Sequence, residues 1–152
     1  MQALFNGFGK LHRRVYALNG TLGRRLAWIP CLVLTTTGRK SGQPRDAVLV
    51  YADDPVGGGR VVVASNGGSD HPPGWLFNVQ ADAAVRVQVG NDAFDATARV
   101  VTPADADYGR LWKLVNAVNR DRYDAYQAKT ERPIALVVLE KSGPSWRTTR
   151  AT

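Results

Sequence analysis

Apolar residues at Leu4, Phe8, Leu11, Val15 and Leu18 are spaced in alternating steps of four and three, which sets them on one stripe of a helix. Lys10, Arg13 and Arg14 lie off that stripe, and Asn19-Gly20 reads as its stop, since both residues tolerate the left-handed conformation of a C-terminal cap. Such a helix suits two settings: packed by its stripe on a domain core, or laid on a membrane surface with its cations toward the headgroups. After Pro30 the period becomes that of strands. Cys31 to Thr37 is rich in β-formers, Gly38 to Pro44 is a turn, and a second strand follows from about Arg45 to Tyr51, giving a hairpin with a basic tip. Asp53 to Gly59 is a turn and Arg60 to Ser65 a third strand. The glycine- and proline-rich loop from Asn66 to Gly74 leads into a short helix at Trp75 to Val79. Val85 to Val89 and Phe94 to Val101 flank a Gly90-Asn91-Asp92 turn. Thr102, Pro103 and Asp105 predict a helix start, running to about Val118. Tyr123 to Lys129 predicts one or two more helical turns, and Ile134 to Glu140 a fully apolar last strand.

Hairpin connections imply antiparallel pairing, because parallel strands need long crossovers. The expected fold is therefore α+β: a small antiparallel barrel of about six strands with peripheral helices. Three segments follow: an amphipathic helical segment over 1–29, the barrel over 30–140, and a basic, Ser/Thr-rich tail over 141–152 expected to be loosely ordered.

Composition sharpens this picture through charge. The 152 residues are 44% hydrophobic and 22% charged, which suits one domain with one core and excludes collagen-like, disordered and disulfide-scaffold classes. Of the net +7, residues 1–45 carry eight cations and no carboxylate side chain, while the remainder holds 12 basic and 13 acidic residues. Nucleic acid, an anionic membrane surface and a polyanionic small molecule would each meet so one-sided a field. No apolar run exceeds six residues, so neither a transmembrane helix nor a signal peptide is expected, and the chain reads as cytoplasmic. The single cysteine, Cys31, reads as a buried, inert thiol.

Common catalytic signatures are absent: there is no Gly-x-Ser-x-Gly elbow, no Walker loop, and no metal-ligand spacing among His12, His71 and Cys31. What remains is the basic turn. Arg39, Lys40 and Arg45 lie within seven residues, and the Ser41 and Gly42 amides are placed to join an anion nest, unless the turn is simply a solvated tip.

Three stretches in order, Leu34-Thr-Thr-Thr-Gly-Arg-Lys-Ser-Gly-Gln-Pro-Arg45, Ala64-Ser-Asn-Gly-Gly68 and Pro73-Gly-Trp-Leu-Phe-Asn-Val79, resemble the motifs of the deazaflavin-dependent nitroreductases of actinobacteria. Tyr123-Asp-Ala-Tyr-Gln127 is similar to a fourth. The resemblance covers about Pro30 to Glu140 and implies a split β-barrel related to the FMN-binding barrels. It also implies hydride transfer from reduced coenzyme F420 to quinones, and adventitiously to nitro-aromatic compounds. It sets Arg39, Lys40, Ser41 and Arg45 against the anionic tail of the coenzyme. Val48, Ala64, Ser65, Asn66, Gly67, Gly74 and Trp75 would line the rest of the cofactor site, with Asn78 anchoring the loop. For the acceptor it implies Tyr123 as hydrogen-bond donor, Ser65 as a second donor and Tyr126 as a pocket wall. Trp75 and both tyrosines also suit plain packing roles.

Two departures bear on acceptor choice: Asn66 stands where relatives often have Lys, and Arg120 where they have an aromatic residue. Gly74 replaces a bulkier residue. Two rivals stay open: a barrel that uses FMN, whose single phosphate would also sit on the basic turn, and a non-catalytic module that binds a cofactor or nucleic acid. The division of charge between a hairpin tip and a helix makes nucleic acid the least expected partner. The helical segment leaves peripheral contact with the inner face of the cell membrane as an expectation.

Overall fold

The computed structural model describes residues 29–147; the predicted N-terminal helix, with Lys10, Arg13 and Arg14, and the following Arg24 and Arg25 lie outside the described residues. Among the described residues there are six strands: β1 (Cys31–Thr37), β2 (Pro44–Asp53), β3 (Arg60–Val63), β4 (Ala84–Val89), β5 (Asp92–Val101) and β6 (Leu136–Arg147). They pair antiparallel in the order β1-β2-β3-β6-β5-β4, and β4 bonds back to β1 to close a barrel. Among the described residues three helices pack against the barrel: α1 (Gly74–Ala81), α2 (Tyr108–Val118) and α3 (Arg122–Gln127). This is the α+β barrel expected from the hairpin pattern. Among the described residues no helix is long and apolar enough to cross a membrane.

Side-chain alternation along the strands builds two cores. Leu32, Leu34, Val62, Val87, Phe94, Val137 and Leu139 come from all six strands but β2, and half-buried Ala47, Leu49 and Tyr51 supply β2's share, so this cluster fills the barrel interior. Trp75, Leu76 and Val79 of α1 join it. The opposite faces, carrying Ala52, Val61, Val63, Val101, Leu136 and Val138, are covered by Leu111 and Val115 of α2 and Tyr123 of α3. Coverage on both faces is why Ile134 to Leu139 is apolar without alternation.

Three expectations are corrected. First, β6 continues to Arg147, so residues 141–147 are strand and not tail; they pair with Asp92 to Ala96 beyond a register shift between Phe94 and Ala96. Second, α2 starts at Tyr108. The residues that signalled a start at Thr102 are spent on turns: the Asp105 carboxylate accepts the Thr102 N–H at 2.8 Å, and the Asp105 N–H donates to the Thr102 carbonyl at 2.9 Å. Third, Cys31 is exposed, because as the first residue of β1 its side chain falls on the outer face; partial cover still pushes its thiol up.

Asp54, in the β2–β3 turn, fastens α2 to the barrel. Arg110 grips its carboxylate with two bonds, at 2.6 and 3.0 Å, and the Val56 N–H donates at 3.0 Å. The Arg110 hydrogen bond, against the opposing cost of burial, holds this carboxyl down at about 2. A depressed carboxyl stabilises the fold above its unfolded value of 3.8, and that contribution disappears as pH falls toward 2. Asp54→Asn is therefore expected to flatten the fall in Tm across this acid window, as read by thermal melts; an unchanged slope would remove Asp54 as its source.

Candidate active site

The basic turn owes its shape to short local bonds. The Gly38 N–H donates to the Gln43 carbonyl and the Gly42 N–H to the Gly38 carbonyl, both at 2.8 Å. A Cβ at Gly38 would stand 2.6 Å from Ser41 Oγ and 3.1 Å from the Gln43 carbonyl, so a larger residue would have to displace the Ser41 hydroxyl and press on the turn. Because its N–H is consumed inside the turn, Gly42 is not a nest donor, contrary to expectation. The Lys40 and Ser41 amides have no partner among the described residues.

Asn78, 5% exposed on α1, pins this turn. Its Oδ1 accepts the Arg39 backbone N–H at 3.1 Å and Arg39 Nη1 at 3.4 Å, while its Nδ2 donates to Thr36 Oγ1 at 3.1 Å. Asn78 thus fastens the basic turn to α1. Arg39 is partly committed to this scaffold, since its guanidinium also lies 4.9 Å from the Phe77 ring centroid. Arg45 reaches Ser41 Oγ at only 3.4 Å, and exposed Lys40 has no partner among the described residues.

Between this turn and the start of α1 lies an open cleft of about 390 Å³. It gathers seven predicted residues: Arg39, Lys40, Ser41, Arg45, Gly74, Trp75 and Asn78. Trp75 serves twice, since it is also 9% exposed within the barrel core. Gly38, Asp46 and Ala47 line the cleft as well and were not anticipated. Asp46 puts a carboxylate into a basic site and holds it by accepting the Thr35 hydroxyl at 2.6 Å.

Val48 is not in the cleft but leads out of it. Asp46, Val48, Val50 and Ala52 alternate onto the outer face of β2, with Thr35, Val33 and Cys31 beside the first three on β1. Val48 is 40% exposed, and Ala52 at the far end packs in the cluster that holds Tyr123. Six steps of about 3.3 Å along β2 therefore carry this face about 20 Å, from the basic cleft to the cluster that holds Tyr123.

Ser65 is half-buried just beyond β3, followed by a single 3-10 turn over Asn66–Gly68. At Gly68 a Cβ would lie 2.6 Å from the Tyr126 carbonyl, which brings this loop against α3. Ala64 is corrected: fully buried in the barrel core, its side chain is closed off from any cofactor.

Tyr123 is 5% exposed, edge-on to Tyr126 at 6.2 Å between ring centroids. Burial pushes its phenol up to about 12, against a hydrogen bond from Asn119 that favours ionisation. Tyr126 is half-buried, with Lys129 Nζ 5.6 Å from its ring centroid. Both ride on α3, which Asp124 ties to α2 by accepting Trp112 Nε1–H at 2.7 Å and donating its own N–H to Asn116 Oδ1 at 3.1 Å. Sequence reasoning also missed Arg132, which contacts the Ala64–Ser69 loop.

A model of the F420H(2)-dependent quinone reductase family matches residues 9–141. An F420H(2)-dependent quinone reductase of Mycobacterium tuberculosis is 45% identical over 134 residues, 87% of this chain and 89% of the relative. A solved F420-H2 dependent reductase is 37% identical and superposes with a TM-score of 0.64, covering 73% of this chain and 94% of that one. An FMN-binding protein of Nostoc punctiforme, related to pyridoxamine 5'-phosphate oxidase, is 11% identical with a TM-score of 0.52 over 82% of this chain and 80% of that one, a likeness of fold alone. Cleft, strip and tyrosines thus sit on a split barrel of the FMN-binding type, and the chain belongs to the F420H(2)-dependent quinone reductase family, oxidoreductases whose cofactor is coenzyme F420.

Proposed function

We propose that the basic cleft holds the anionic tail of coenzyme F420, that the outer strip of β1 and β2 carries its ring to Ser65 and Tyr123, and that a quinone accepts the hydride there. The observation that carries this reading is that the outer face of β2 leads from the cleft, past exposed Val48, to the cluster that holds Tyr123. The residues fit such a group: Lys40, Arg45 and the Ser41 amide offer charge and donors to phosphate and carboxylates, and Val48 offers an apolar floor to a flat ring. When bound, the reduced deazaflavin supplies two electrons as a hydride.

The chain's own task is then to position and to donate. Ser65, Asn66 and Gly67 present a hydroxyl and backbone N–H groups to the ring edge. Tyr123, held at about 12, keeps its proton at neutral pH and donates it to the acceptor oxygen on which charge develops. Tyr126 closes the pocket beside it. A nitro oxygen would meet the same donor, so nitro-aromatic compounds are secondary acceptors in this reading. The amphipathic stripe of residues 4–18, with Lys10, Arg13 and Arg14, supports peripheral contact with the membrane where lipid quinones reside. Turnover tests the reading: reduced F420 should be oxidised by a naphthoquinone such as menadione only with the protein present, and more slowly by a nitro-aromatic. Failure with every quinone would overturn it.

A further inference from the structure

Arg132 lies in the loop between α3 and β6, and its guanidinium donates to three backbone carbonyls of one other loop. Nε reaches Ser69 at 2.7 Å, Nη2 reaches Ser65 at 2.8 Å and Nη1 reaches Ala64 at 3.3 Å. Those carbonyls bracket Asn66, Gly67 and Gly68, whose φ angles are 44°, 64° and 84°. Asn and glycine tolerate the left-handed region but also many other conformations, so bonds from outside the run select this one.

Further bonds tie this loop to the one carrying Arg132 and brace it internally. Thr130 Oγ1 donates to Asp70 Oδ1 and Asn66 Nδ2 to the His71 carbonyl, each at 2.8 Å. Arg132 is itself held by Gln127, whose Nε2 donates to the Arg132 carbonyl at 2.8 Å while its Oε1 accepts the Ile134 N–H at 2.9 Å. Across a trans peptide the C=O and N–H point opposite ways. Drawing the Ala64 and Ser65 carbonyls onto the guanidinium therefore turns the Ser65 and Asn66 N–H groups away from it.

We infer that Arg132 is a positioning residue: it fixes the 64–69 loop so that the Ser65 and Asn66 N–H groups face the cofactor ring. This rests on the placement of the ring proposed above. A planar fork of five N–H donors spans three carbonyls, whereas a lysine ammonium is a point charge on a flexible stem. Arg132→Lys therefore keeps the charge and loses the clamp.

The test compares wild type, Arg132→Lys and Arg132→Ala. Amide hydrogen exchange of residues 66–69, read without cofactor, is expected to quicken about tenfold in Arg132→Lys while the barrel strands stay protected. The kcat with menadione at saturating reduced F420 should fall about tenfold. Millimolar guanidinium should restore part of the Arg132→Ala turnover, and methylammonium should not. Wild-type exchange and turnover in Arg132→Lys would overturn the proposal. If Arg132→Ala does not fold, the lysine variant alone decides. Wild-type protein that oxidises no reduced F420 would overturn the ring placement, and with it the role toward the ring, whereas the exchange arm separately decides the clamp.

Discussion

Lys40→Ala is expected to weaken binding of oxidised F420 by about 10- to 100-fold, the cost of losing one charge-assisted contact of about 1.5–3 kcal/mol. Lys40→Glu should weaken it further, because it sets a carboxylate against the anionic tail. Two neighbouring cations of the turn differ in what they hold. Arg39 spends its amide and part of its guanidinium on Asn78, so its removal would disturb the scaffold as well as the ligand. Lys40 is exposed and without a partner among the described residues, so its substitution should leave Tm nearly unchanged, within about 0.5 kcal/mol of stability. Affinity should also fall with added salt more steeply in wild type than in Lys40→Ala, since an exposed charge is screened. Unchanged affinity in Lys40→Ala, measured by fluorescence titration, would mean that the tail lies elsewhere.

Tyr123→Phe is expected to lower kcat with menadione by about 100-fold, the usual cost of deleting one donor aimed at a developing oxyanion, while leaving F420 affinity within about twofold. The phenol that burial holds at about 12 remains protonated through neutral pH. Wild-type kcat should accordingly show no decline from this group until pH approaches 12, and the decline should be absent in Tyr123→Phe. Tyr126→Phe keeps the ring that walls the pocket and should retain most of the turnover. The reverse outcome, loss in Tyr126→Phe with normal turnover in Tyr123→Phe, would assign the donor to the half-buried tyrosine and leave Tyr123 as packing.

How far this could be read from sequence differs from element to element. The hairpin of β1 and β2 was legible because its alternation, its glycines and its cations are all local, and the closed barrel follows from repeating such hairpins. The continuation of β6 through Lys141 to Arg147 was not, because those residues are polar and their pairing is dictated by Asp92 to Ala96 across a register shift. At Thr102 the local signals were genuine but were satisfied by turns six residues ahead of the helix. Cys31 was misjudged because an apolar neighbourhood does not say on which face the first residue of a strand falls. In the cleft, seven lining residues were within reach because they form two short motifs, one at the turn and one opening α1. Asp46 escaped because it looks like any strand residue until β2 turns its side into the cleft. Arg132 escaped for a different reason: its three carbonyl partners lie 63 to 68 positions away, and no spacing rule connects them.

One measurement meets the central claim most directly: equilibrium titration of the wild-type protein with oxidised F420 and, separately, with FMN. Saturable binding of F420 that is lost in Lys40→Glu, with FMN bound far more weakly, is the result expected of a basic cleft continued by an apolar strip. FMN bound tightly with no binding of F420 would contradict it.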